Sequence, residues 1–161
     1  MNKTELLDTM LNRRAEWNAL LSQVDQERMM QPGVAGEWSV KNIVAHVTWT
    51  ESETAQLLQA SAFAGSQLWE LPENERNAVV FELNRDRPLP EVLAQATDVF
   101  KQLLDAVRAL SEEDLNDPAR FQDMPISGIP WRIVVANSFA HYYQHMPGIR
   151  AWLERSKETA G

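Results

Sequence analysis

Apolar residues recur along this chain at steps of three and four, the spacing that gathers side chains onto one face of an α-helix. Four long stretches carry the period. The first spans about Thr4 to Met29, with Leu7, Met10, Leu11, Trp17, Leu21 and Val24 in register and Arg13, Glu16, Asn18 and Gln23 facing elsewhere. Asn2 or Thr4 caps its start by accepting an orphan backbone N–H, and Gln31-Pro-Gly-Val-Ala-Gly36 ends it. The second begins at an N-cap Ser39, with Trp38 stapling the entry, and runs to about Phe63. Ile43, His46, Val47, Thr50, Thr54, Leu57 and Leu58 share its face.

From Gly65 to Pro88 the pattern weakens, and a long crossover is expected, with Glu73 to Leu83 as a short helix inside it. The third stretch opens at Pro90, a residue well tolerated in a first helical turn. Val92, Leu93, Ala96, Val99, Phe100, Leu103, Leu104, Val107 and Leu110 give it the cleanest stripe in the chain. Ser111-Glu-Glu-Asp114 caps one further turn, and a polar loop follows through Gly128. The fourth opens at Pro130 and sets Val134, Asn137, Ser138, His141, His145, Gly148 and Trp152 on one side. Pro147 removes its own N–H bond to Tyr143; the helix either tolerates this or bends after His145. No run alternates with period two. Stripes of ~20 to 25 residues span ~30 to 38 Å, so the expected fold is all-α, a four-helix bundle with a long connection between helices 2 and 3.

The same registers send all three histidines of the chain toward one place. His141 and His145 lie four apart on one helix face, and His46 lies on the inner stripe of another. Two imidazoles from one helix and one from a second form the ligand set of an open zinc-type site. Imidazole also suits nickel, copper and iron. The alternative is a set of hydrogen-bonded core histidines. Near them, Glu53 either orients a ligand or acts as a base, or is a solvated charge. Tyr142 either donates a hydrogen bond at the site or packs between helices.

Composition narrows the classes. A length of 161 residues fits one domain, residues 1–161. A formal net charge of −8 argues against nucleic acid and anionic membrane as partners. Cysteine is absent, which removes disulfides, thiolate nucleophiles and sulfur ligands. The N-terminus shows no signal-peptide pattern and no apolar run is long enough to span a bilayer. A cytoplasmic protein acting on a small molecule, and pairing as a homodimer, is the expectation.

Two segments carry a family resemblance. Gly36-Glu-Trp-Ser-Val-Lys-Asn-Ile-Val-Ala-His46-Val-Thr-Trp-Thr-Glu51 and Ser138-Phe-Ala-His141-Tyr-Tyr-Gln-His145-Met-Pro-Gly-Ile-Arg-Ala-Trp152 resemble the DinB/YfiT-like superfamily. Trp49, three residues after His46, and the H-Y-x-x-H form look most like its ClbS/DfsB-like branch. The likeness runs over essentially the whole chain, Asn77 in the crossover included. It implies an up-down-down-up bundle with a metal site between the second and fourth helices, where His46, His141 and His145 match three histidine ligands. The superfamily includes thiol-dependent transferases and hydrolase-like members, and the branch is associated with protection against a reactive genotoxin. The implied activity is a metal-dependent transferase or hydrolase acting on a small electrophile, with zinc or nickel as the metal and a low-molecular-weight thiol as candidate cosubstrate. The competing classes are a noncatalytic small-molecule-binding bundle and a dimeric structural bundle.

Overall fold

The structure, a computed structural model, describes the backbone of residues 1–158 and the side chains of residues 1–155. Among the described residues eight α-helices follow one another: α1 (Lys3–Leu21), α2 (Gln26–Met29), α3 (Val40–Ala60), α4 (Glu73–Asn84), α5 (Leu89–Ala109), α6 (Glu112–Asn116), α7 (Pro130–Asn137) and α8 (Phe139–Glu158). Short 3₁₀ turns lie at Gln67–Glu70 and Pro118–Arg120. The described residues contain no strand, only isolated bridges between Ala35 and Trp38 and between Ala62 and Gln122. The all-helical expectation holds.

Caps explain several boundaries. Asn2 and Glu5 form a reciprocal capping box at α1, Ser39 and Asn42 another at α3, and Ser111 and Asp114 a third at α6. Each box satisfies two backbone donors that a helix start leaves orphaned. Pro90 sits in the first turn of α5, where its missing N–H costs nothing.

The first and fourth stretches are each divided. α1 ends at Leu21, and residues 22–25 form tight turns before α2. Gln23 N donates to Leu20 O at 3.1 Å and Val24 N to Leu21 O at 3.0 Å. The Ser22 hydroxyl bonds back to Ala19 O at 2.8 Å, a local partner that competes with helix continuation. No proline or glycine marks this end, so periodicity reads through it. The fourth stretch breaks at Ser138, whose φ of −124° and ψ of −106° are not helical. The proline at 147 does not end α8.

α3 is the centre of the molecule. It packs against α5 most extensively, and also against α4, α7 and α8; α1 closes the far side against α5 and α8. Fourteen of its 21 residues are buried, more than one face can supply, so α3 is enclosed on several sides. α5 needs only one apolar stripe because it packs inward alone: Val92, Val99, Leu103 and Val107 are all at or below 4% exposure. Burying such a side chain is worth about 1.5–3 kcal/mol. Beyond α3, Ser61 takes a left-handed φ of 48°, and the chain doubles back over the C-terminal half of the helix. Phe63 N donates to Gln122 O at 2.7 Å and Gln122 N to Ser61 O at 2.9 Å, tying this strap to the loop before α7.

Candidate metal centre

His46 comes from the middle of α3, and His141 and His145 from successive turns of α8. Their ring nitrogens converge. His46 Nε2 lies 3.0 Å from His141 Nε2, and His145 Nε2 lies 3.1 Å from the same atom. One donor atom from each residue falls within 4.8 Å of the other two. His46 and His141 are buried and His145 is half-buried, so the cluster opens outward on the His145 side.

Burial sets the protonation. It brings His46 down to about 3, helped by charge repulsion from His141, His145 and Arg76, and His141 down to about 4, helped by His145. His145 is also lowered by burial. Three uncharged imidazoles therefore face one another at neutral pH, the state in which imidazole donates to a metal.

Hydrogen bonding reaches the outer nitrogen of His141. Thr50, one turn after His46, places its hydroxyl 3.0 Å from His141 Nδ1. When the single hydroxyl proton goes to Val47 O (2.9 Å) or Asn137 O (3.2 Å), the oxygen accepts from His141 Nδ1–H, and in that tautomer Nε2 carries the lone pair that points into the cluster. The break at Ser138 belongs to this arrangement, because it lies at the residue that follows the Asn137 carbonyl met by Thr50. His46 Nδ1 has no partner although it is buried. Thr50 supplies an outer partner at His141, and no described residue supplies one at His46. Trp38, expected only as a staple, also packs edge-on against His46 with centroids 5.2 Å apart.

This donor set fits a divalent transition ion. Three nitrogens come from two helices, and no carboxylate or thiolate is among them. Without a cation, His141 Nε2 is approached by two other rings at 3.0 and 3.1 Å; His46 Nδ1 lies on the outer side of its ring, where a cation at Nε2 would not pair it.

Glu53 and Tyr142 are not part of the convergence. Glu53 Oε2 accepts from Ser66 N at 2.7 Å and from the Trp69 indole N–H at 3.0 Å, which fastens the strap to α3. Tyr142 follows His141 by one residue, about 100° around the helix, and points to the opposite side. Its hydroxyl donates to Glu51 and receives Arg14 Nη1 at 3.1 Å. Tyr142 takes the packing role, while Glu53, seven residues beyond His46, shares its helix face but lies about 10 Å further along the axis.

Arg14 and Glu51 were not read as site residues, yet with Tyr142 they form the second polar cluster of the core. Arg14 Nη1 lies 3.1 Å from Glu51 Oε2, and Nη2 donates to Ala96 O at 2.7 Å. The guanidinium also stacks over Phe100 at 4.6 Å, while Trp17 stacks on Tyr142 at 5.2 Å. Burial pushes the fully enclosed Glu51 carboxyl up to about 7 against the pull of Arg14 and Tyr142. Burial alone would lower Arg14, but Glu51 and Tyr142 outweigh it and hold the guanidinium above its usual value. The signal was present: Arg14 is four residues after Met10, and Glu51 four after Val47, so both charges sit in apolar registers.

A cavity of about 680 Å³ lies alongside, between the second half of α3, the strap and α7, with Leu57, Phe63, Trp69 and Ile133 among its walls. Asn137, whose carbonyl meets Thr50, lines it as well.

The model of the DinB superfamily matches residues 12–147. This chain belongs to the DinB superfamily. Solved structures similar to it share the helical fold at low identity. An uncharacterised protein from Escherichia coli UTI89 aligns with a TM-score of 0.77 and 13% identity, over 97% of this chain and 95% of that one. The colibactin self-resistance protein ClbS, in complex with double-stranded DNA, aligns with a TM-score of 0.75 and 14% identity, over 93% and 94%. A protein from Streptococcus pneumoniae gives 0.75 and 14%, over 96% and 91%. No curated protein matches by sequence. The resemblance to the superfamily, with ClbS among its structural neighbours, is thereby shown.

ClbS also corrects one expectation. The net charge of −8 was taken to argue against nucleic acid, whereas a neighbour of the same fold is seen with duplex DNA. A net charge sums over the whole surface, while DNA meets only one face of a protein. No helix among the described residues is long and apolar enough to cross a membrane.

Proposed function

We propose that His46, His141 and His145 hold one divalent transition metal, zinc or nickel, and that this DinB-superfamily protein is a metal-dependent transferase or hydrolase acting on a small electrophilic molecule. The observation that carries the reading is the meeting of three uncharged imidazoles at 3.0 and 3.1 Å around His141 Nε2. A divalent ion held by three neutral nitrogens supplies Lewis acidity, enough to make water or a low-molecular-weight thiol nucleophilic near neutral pH. The chain supplies the rest. Thr50 orients His141 through Nδ1, Trp38 shields His46, and the Arg14–Glu51–Tyr142 cluster locks α8 to α3. The half-buried His145 leaves the approach for a substrate.

Elemental analysis of protein purified without a polyhistidine tag, and calorimetric titration with zinc and nickel, test the site. One ion per chain is expected, with affinity lowered more than ~100-fold in His141→Ala. Equal binding by wild type and variant would sink the reading. The cavity also favours a second one, a binding bundle that sequesters a small molecule without turnover. Conversion of a model electrophile, with and without added thiol, separates the two. Colibactin self-resistance, which the name of ClbS gives for that protein, supports trying colibactin as a substrate, and its complex supports trying duplex DNA as a ligand.

A further inference from the structure

The cavity beside the histidines is built for one class of ligand. Its walls are Leu57, Phe63, Trp69 and Ile133, with Glu53 and Glu70 as its charged members and no Lys, Arg or His in the lining. Both bonds that hold the strap go to one oxygen of Glu53, Oε2. Its other oxygen has no bond to the described residues, and neither Glu53 nor Glu70 has a basic partner among them. Arg76 lies outside the lining, with its guanidinium 4.6 Å from the centroid of the Trp69 ring. Two carboxylates against one outlying guanidinium leave the concave wall negative, and low-dielectric walls focus that field into the space between them. A volume of about 680 Å³ falls in the range of small-molecule sites, in which apolar walls bury the ligand's body and a few polar groups fix its orientation.

We infer that this cavity is a binding site for an organic cation, an ammonium group carried on an apolar aliphatic or aryl body. The ammonium sits at the free oxygen of Glu53 and at Glu70, and the apolar body lies against Leu57, Phe63 and Ile133. Glu53 thereby has two roles: one oxygen holds the strap shut over the cavity and the other reads the charge of what lies beneath it. Gly65 lies within the strap at its closest approach, where a Cβ would come 2.8 Å from Trp69 Cδ1 and 3.0 Å from Glu53 Oε2. The strap is therefore seated on the same carboxylate that meets the ligand.

Three probes of one shape test the inference by calorimetry at neutral pH: 4-phenylbutylammonium, 4-phenylbutanol and 4-phenylbutyrate. The ammonium should bind at least ~10-fold more tightly than the alcohol, and the carboxylate weakest. Glu70→Gln should bring the ammonium several-fold closer to the alcohol; Glu53→Gln should do the same, and because it can also loosen the strap, Glu70→Gln is the deciding variant. Ala136→Trp, which fills the cavity from α7, should abolish binding of all three. Equal affinity for ammonium and alcohol, no binding at all, or ammonium binding that survives Ala136→Trp would overturn the assignment, the last because an acidic chain also gathers cations on its surface. His141→Ala should keep the ammonium affinity while losing zinc. That outcome separates the cavity from the metal site, and loss of the ammonium in this variant would place the probe on the histidines and overturn the inference.

Discussion

Two polar clusters bridge the same pair of helices, and they are built in opposite ways. Glu51 and Tyr142 join α3 to α8 with Arg14 from α1, and the Arg14 guanidinium meets a carboxylate, a phenol and a carbonyl. Five residues earlier on α3, and one residue earlier on α8, His46 and His141 meet with His145 and leave a buried nitrogen unpaired. Buried polar groups in proteins are almost always satisfied, so the exception needs a reason. The first cluster is complete as it stands and holds the helices in register. The second aims three ring nitrogens at one point, and its unpaired nitrogen, His46 Nδ1, lies on the outer side. Burial is common to both clusters; what differs is that one pairs opposite charges and the other gathers three neutral donors.

The sharpest way to break the comparison is to remove one member of the complete cluster. Glu51→Leu should cost about 3–5 kcal/mol in urea unfolding, because it strands a buried guanidinium that cannot give up its proton. Arg14→Met should cost clearly less, since Glu51 can then take a proton and become neutral. Equal costs would mean that the cluster is not held by charge.

Adding metal should act only on the incomplete cluster. Zinc at a thousandfold excess over its dissociation constant should raise stability by about 4 kcal/mol. His141→Ala should lose that gain and leave the metal-free fold cooperative, as followed by urea unfolding with and without zinc.

Acid should separate the clusters by sign. The histidines are neutral in the fold down to about 4 and about 3, whereas an unfolded histidine takes a proton near 6.5. Their contribution is therefore present above pH 6.5 and lost as pH falls from there toward 3. Glu51 behaves oppositely: its folded value of about 7 lies above the ordinary 4.5, so its contribution is full below 4.5 and lost as pH rises through 7. Metal-free wild type should lose roughly 2 kcal/mol between pH 6.5 and 5. Glu51→Gln, which abolishes the opposing gain, should make that slope steeper. An unchanged slope would remove Glu51 from the titration.

The smallest effect is expected from Tyr142→Phe. It deletes one hydrogen bond to Glu51 and one from Arg14, at a cost of about 1–3 kcal/mol in urea unfolding. Zinc affinity should stay within about threefold, because the hydroxyl faces away from the histidines.

The helical period, the caps at Asn2, Ser39 and Ser111, and the i, i+4 spacing of His141 and His145 are local properties, and the sequence by itself determined them. Local dihedral preferences and side-chain direction depend on neighbours within one or two turns, and those neighbours can be read in the chain. The tertiary structure decided the rest. It ended α1 at Leu21, where the Ser22 hydroxyl competes locally for Ala19 O, and broke the fourth stretch at Ser138, with no glycine or proline marking either position. It joined Arg14 to Glu51 across 37 positions, a pairing that their apolar registers hint at but cannot assign. It turned Tyr142 toward Arg14, one residue step and about 100° from His141, and set Glu53 under the strap, on the His46 face but about 10 Å along the helix. It also brought His46 to His141 across 95 positions, which needed two independently formed helices to meet at one rotation and one height. A period can specify the face that a side chain occupies, but only packing fixes the depth at which two faces meet.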